Sequence, residues 1–239
     1  MENSSDYCGE ELPKARGLYG FVTDFFKWKF NRSNNVMLVD FDNVPTHKEP
    51  LIIVSNHDTP NDSWHFDERR GRKVPHTHSV DHLLIGAFMD QRIHALASVR
   101  HYRSSVKSYL LDMLEQVPAT TNGIKEAHQF IDKGESILIF PEGNSGQGTL
   151  IGKKVEIRPG LGMLVEASPY VRILPIYVRI EGKKDWLWPK FDSASVVFGE
   201  PFLYGEEFGE LPLNEGVDCK RISEDIMRAK VRPLESRLD

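Results

Sequence analysis

The chain has 239 residues, 40% hydrophobic and 27% charged, with a formal net charge of −5; this suits one sizeable core with additions and argues against nucleic acid as the main partner, since phosphate-neutralising side chains are not in excess. No run reaches the roughly 20 apolar residues that span a bilayer, and the acidic start (Glu2, Asp6, Glu10, Glu11) is unlike a secretory signal. The two cysteines, Cys8 and Cys219, lie at opposite ends and frame neither a disulfide network nor a metal knuckle, so a reducing compartment is expected.

In chain order, the first element falls within residues 1–35. Between Lys14 and Arg32, five basic residues (Lys14, Arg16, Lys27, Lys29, Arg32) stand against the single acid Asp24, and Leu18, Phe21, Val22, Phe25 and Phe26 recur at the spacing of one helix face, with Trp28 as an interfacial ring. The segment is expected to be an amphipathic helix, either packed on the domain's own core or lying in a membrane interface. Residues 36–239 are expected to form one α/β domain. Residues 36–41 and 51–55 read as strands, and residues 80–90 as a helix capped by Ser79. Residues 105–115 suggest another helix. A clear one starts at Asn122, with Ile124, Ala127, Phe130 and Ile131 on one face and Gly134 at its end. Strands over 136–140, 171–177 and 195–198, with a helix over 159–167, complete an alternating pattern. Alternation predicts a mainly parallel or mixed sheet flanked by helices.

Two polar blocks follow apolar strands. After Leu51-Ile52-Ile53-Val54-Ser55 comes Asn56-His57-Asp58-Thr59-Pro60-Asn61-Asp62, and after Ser136-Ile137-Leu138-Ile139-Phe140 comes Pro141-Glu142-Gly143-Asn144-Ser145-Gly146. Strand exits in α/β sheets are where sites are built. A neutral histidine accepts a proton, with an ordinary pKa of about 6.5, and a carboxylate on its other nitrogen fixes the tautomer. The chain here resembles the glycerolipid acyltransferase family, the lysophosphatidate acyltransferase and tafazzin group, whose blocks are Asn-His-x-Ser/Thr-x-x-Asp and Phe-Pro-Glu-Gly. The resemblance extends from about Val36 to Pro201, through Val44-Pro45, Arg158-Pro159-Gly160, Ile173-Leu174-Pro175-Ile176 and Val197-Phe198-Gly199-Glu200-Pro201.

The resemblance implies an O-acyltransferase moving a fatty acyl group from acyl-CoA, or an acyl carrier protein, to a hydroxyl of a lysophospholipid or glycerol phosphate. His57 would be the general base. Glu142 and Gly143 match the block that binds the glycerol-containing acceptor, and Arg158, Thr59 and Asn56 are further substrate-binding candidates. Lys153 and Lys154 lie nearby; Arg100 and Arg103 are secondary cations. The family's arginine ahead of the Asn122 helix is missing, since Val117-Pro118-Ala119-Thr120-Thr121 stands there. Two carboxylates compete for His57. Asp62 keeps the local motif intact and is preferred, but a polar insertion at about 63–78 precedes Ser79-Val80-Asp81-His82-Leu83-Leu84, which makes Asp81 the rival. The insertion is expected to be an exposed hairpin or loop.

His76, His78 and His82 with Asp81 lack any established zinc spacing, so no metal site is expected, and no cofactor beyond the acyl-donor co-substrate. The expected setting is a peripheral membrane surface facing the cytosolic side. Other readings remain open: a tafazzin-like CoA-independent transacylase, a lipid esterase using the same pair on water, and a non-catalytic lipid-binding protein.

Overall fold

The computed structural model describes residues 18–33, 35–46, 49–57, 64–67, 72–75, 81–99, 101–103, 108–109, 111–112, 114–143, 156–181, 193–211 and 217–238. The centre of the fold is β2 (Leu51–Ser55), buried at every position. Such a continuous apolar run is what a strand covered on both faces requires. Its alternate residues serve different layers, as the two-residue period of a strand dictates. Leu51 and Ile53 point into one apolar cluster, Ile52 and Val54 into another.

Around β2 lies a seven-stranded mixed sheet, in the order β1-β9-β8-β2-β7-β5-β6. Its members are β1 (Val36–Val39), β5 (Ile93–Ala97), β6 (Val117–Pro118), β7 (Ser136–Ile139), β8 (Arg172–Glu181) and β9 (Ser193–Phe198). β2 is parallel to both β7 and β8, β7 to β5 and β5 to β6, while β8 and β9 are antiparallel and β1 runs parallel to β9. The strands β2, β7 and β5 therefore all exit at one end of the sheet.

Helices cover both faces. On one, α1 (Leu18–Ser33) packs against α2 (Asp81–Phe88), and Phe30, Leu84, Ile85 and Phe88 join Leu51, Ile53 and Leu138. On the other, α3 (Thr121–Asp132), α4 (Gly160–Ala167) and α6 (Cys219–Ile226) bring Ile124, Ile131, Leu161, Leu164 and Ile222 onto Ile52, Ile137 and Ile139. α5 (Tyr204–Phe208) adds Tyr204 to this layer. Thr120 caps α3 by accepting from the Gly123 N–H at 3.0 Å, and Gly134, at φ +81°, closes it.

The insertion contains an antiparallel hairpin, β3 (Trp64–Asp67) paired with β4 (Arg72–Pro75), as its polar sequence suggests. β5 and β6 differ from the sequence expectation, which left both unassigned: β6 has only two residues, and β5 carries the polar His94 in its middle. Of the helix expected over 105–115, residues 108–109 and 111–112 are helical. Lys14, Arg16 and Ser79 lie outside the described residues. No helix among the described residues is long and apolar enough to cross a membrane.

Candidate active site

Register sets the site. Val54 of β2 lies beside Ile139 of β7, so the chain three residues beyond each brings His57 beside Glu142. The His57 N–H donates to Glu142 Oε2 at 3.1 Å. Asn56, the residue that leaves β2, holds this exit in place through its carboxamide. Nδ2 donates to the Val178 carbonyl at 2.8 Å and Oδ1 accepts from the Val178 N–H at 2.7 Å. The side chain thus substitutes for a peptide unit and continues the ladder towards β8. Expected to bind substrate, Asn56 is found 9% exposed and engaged with backbone, so the geometry gives it a positioning part.

The His57 ring is held on two sides. Nδ1 lies 2.5 Å from Oδ2 of Asp81, the first residue of α2. An ionised carboxylate only accepts, so Nδ1 carries the hydrogen and Nε2 is the basic nitrogen. Phe140 packs on the ring, with centroids 5.1 Å apart. Asp81 is fully buried, whereas the His57 side chain is 20% exposed. That difference suits a pair in which one member orients and the other meets substrate. The start of a helix also favours a carboxylate, through the helix dipole and the unfilled N–H groups of the first turn.

The preference for Asp62 therefore meets a rival already in contact: Asp81 occupies the Nδ1 side. Asp62 and Thr59 lie outside the described residues, as do His76, His78, Arg100, Lys153 and Lys154. The intervening hairpin is what separates His57 from its partner by 24 positions in sequence.

Glu142 is buried, and burial pushes its carboxyl above the usual carboxylate range. The His57 backbone N–H and the charges of Arg232 and His57 oppose that rise. Gly143 follows at φ +53°, a left-handed conformation that costs glycine little, and its N–H donates to the Phe140 carbonyl at 2.9 Å. This tight turn is what points Glu142 back at β2. The Arg158 N–H donates to the Pro141 carbonyl at 2.8 Å, and its guanidinium, largely exposed, lies 3.7 Å from Glu156. Arg158 is thus brought beside the Pro141–Gly143 turn. Arg103 is exposed on a short turn after β5. Sequence reasoning did not single out Arg232, whose positive charge acts on Glu142 from the C-terminal segment.

The pieces can accept a proton at His57 Nε2, stabilise the resulting imidazolium through Asp81, and present polar groups at the mouth of three parallel strands. Among solved structures, the fold is similar to that of the 1-acyl-sn-glycerophosphate (LPA) acyltransferase PlsC from Thermotoga maritima. The TM-score is 0.56 at 18% identity, covering 92% of this chain and 79% of that one. A search of curated protein sequences gives no match. A family model described as Acyltransferase matches residues 35–179, more than half of the chain, and spans β1, the His57–Asp81 pair and the Glu142 turn. The chain belongs to this acyltransferase family.

Proposed function

We propose that the protein transfers a fatty acyl group from acyl-CoA, or an acyl carrier protein, to a hydroxyl of a lysophospholipid or glycerol phosphate, with His57 as general base. The observation that carries this reading is the 2.5 Å contact between His57 and Asp81 beside Glu142, in a chain of the acyltransferase family. As the acceptor oxygen attacks the thioester carbonyl, its proton passes to Nε2. Asp81 stabilises the imidazolium, the C–S bond breaks, and the thiolate leaves with that proton. No acyl-enzyme is needed. Proton removal supplies about two to four orders of magnitude, and the rest comes from orientation and carbonyl polarisation. Glu142 and Gly143 belong to the proposed acceptor site, and Thr59 is a further candidate for it.

The same reading places the enzyme on a membrane surface facing the cytosolic side. α1 is apolar on two sides: Phe26 and Phe30 pack inward, whereas Phe21 and Trp28 are 70% and 54% exposed. The Arg32 guanidinium lies 5.4 Å from the Trp28 ring centroid, a pairing of aromatic ring and cation suited to the interface between acyl chains and anionic headgroups.

A mixed panel of lysolipids and labelled acyl donors, with products identified by mass spectrometry, tests the proposal. Transfer that needs both acyl-CoA (or acyl carrier protein) and an alcohol acceptor supports it. Transfer from a phospholipid without CoA points instead to a transacylase. Donor hydrolysis that ignores the acceptor identifies an esterase, and no turnover of any pair indicates a lipid-binding protein.

A further inference from the structure

The C-terminal segment beyond α6 lies outside the residues matched to the family, yet it is built into the same layer as the site. Met227 and Val231 are buried with Val54 and Ile139, the last apolar residues of the two strands whose exits carry His57 and Glu142. Leu234 anchors the other side of Arg232, since it is 5% exposed and close to Gly199. Arg232 is thus an exposed side chain on a backbone pinned at both neighbouring turns.

Its lack of an ion pair sets it apart from the other cations of α6 and the segment after it. Lys220 lies 3.9 Å from Glu156, Arg221 3.8 Å and Arg228 2.6 Å from Asp225, and Lys230 2.7 Å from Glu207. Arg237 pairs with Asp40. Among the described residues Arg232 makes no such ion pair, and it is instead the arginine whose charge acts on Glu142. The chain from Met227 to Val231 is a π-turn, closed by the Arg232 N–H donating to the Met227 carbonyl. A π-turn is wider than an α-turn and is a recurrent feature of functional sites. Beyond it, Leu234 lies against Gly199, whose N–H donates to the Pro175 carbonyl, and Pro175 is level with Val54 of β2, so the chain carries Arg232 to the end of the sheet where His57 and Glu142 stand. Meanwhile Val117-Pro118-Ala119-Thr120, which enters α3, brings no cation to this end of the sheet.

We propose that Arg232 binds the phosphate of the substrate at the His57–Glu142 end of the sheet, which makes the C-terminal segment part of the substrate site. A guanidinium presents paired N–H donors that match phosphate oxygens, and an arginine not already held by a carboxylate gives up little to make that contact. The phosphate could belong to the acceptor or to the CoA donor. The inference rests on the acyl-transfer reading above.

Steady-state kinetics should be measured for the wild type, Arg232→Ala, Arg232→Lys and the control Arg228→Ala. The acceptors are a short-chain lysophosphatidate and the matching monoacylglycerol, with acyl-CoA varied separately. Arg232→Ala is expected to raise KM for lysophosphatidate about tenfold or more, with kcat and the monoacylglycerol KM within about twofold of wild type. Arg232→Lys should recover part of the loss, and Arg228→Ala should show none. A rise confined to acyl-CoA supports the inference with the donor as the source of the phosphate. Unchanged KM for both substrates, or an equal loss in Arg228→Ala, overturns it. If the wild type transfers no acyl group to any acceptor, the acyl-transfer reading fails by itself. Calorimetric titration with glycerol 3-phosphate then still tests Arg232: binding weakened in Arg232→Ala supports the site, and equal or absent binding overturns it.

Discussion

Glu142 sits where ionisation is costly, and that has a measurable sign. Its folded pKa is raised by burial, so the folded state holds this proton to higher pH than the unfolded chain does. Stability from this group is therefore full below the ordinary carboxylate value of about 4.3 and is lost as pH rises through the raised folded value. Glu142→Gln keeps an oxygen for the His57 N–H and removes the ionisation. Its unfolding free energy relative to wild type should increase from pH 4 towards neutral, as read by urea denaturation. A difference that stays flat with pH would show that the carboxyl titrates as in solvent. The place of His57 at the exit of β2 was legible in sequence because strand, asparagine and histidine are contiguous. Its contact with Asp81 was less so, because the inserted hairpin separates the two and local spacing favours Asp62. Asp81→Asn should lower kcat on the order of a hundredfold or more, through loss of the ring's orienting acceptor and its charge. Asp62→Asn should leave kcat within about threefold of wild type; the reverse ranking would return Asp62 to the role.

Among the elements, the spacing of α4 and α6 depends on one missing side chain. A Cβ on Gly162 would lie 2.0 Å from the Cys219 carbonyl oxygen, a backbone atom that cannot move aside cheaply. The Gly162 N–H also donates to Ser223 Oγ at 2.9 Å. Gly162→Ala should therefore destabilise the fold by about 1–3 kcal/mol, seen as a lowered thermal midpoint, with the residual folded enzyme keeping its KM. An unchanged midpoint would mean the two helices are not held at this distance. The buried strands β2 and β7 were legible because long β-branched runs have few other uses. Strand β6 was not, since two residues carry no periodicity. β5 is similarly disguised by His94, which is buried yet satisfied, with Nδ1 2.7 Å from the Glu115 carbonyl and Nε2 2.8 Å from Glu135 Oε2. The π-turn after α6 leaves no mark in the hydrophobic pattern either.

At the level of the whole molecule, α1 joins two environments. Sequence periodicity gave a single apolar face, but the helix divides its aromatics between the core and the outside, a distinction that depends on tertiary packing and is invisible to spacing alone. Phe21→Ser with Trp28→Ser should leave the thermal midpoint nearly unchanged while weakening co-sedimentation with vesicles containing anionic phospholipid about tenfold or more. Equal sedimentation would remove the membrane role from this face. All these parts serve one chemical claim, that His57 held by Asp81 removes the acceptor's proton during acyl transfer. Its most direct measurement is the single-turnover transfer of labelled acyl-CoA to a lysophospholipid by the wild type and by His57→Ala, both verified as folded. His57→Ala should be slower by about two to four orders of magnitude with acyl-CoA still bound; equal rates for the two proteins would contradict the claim.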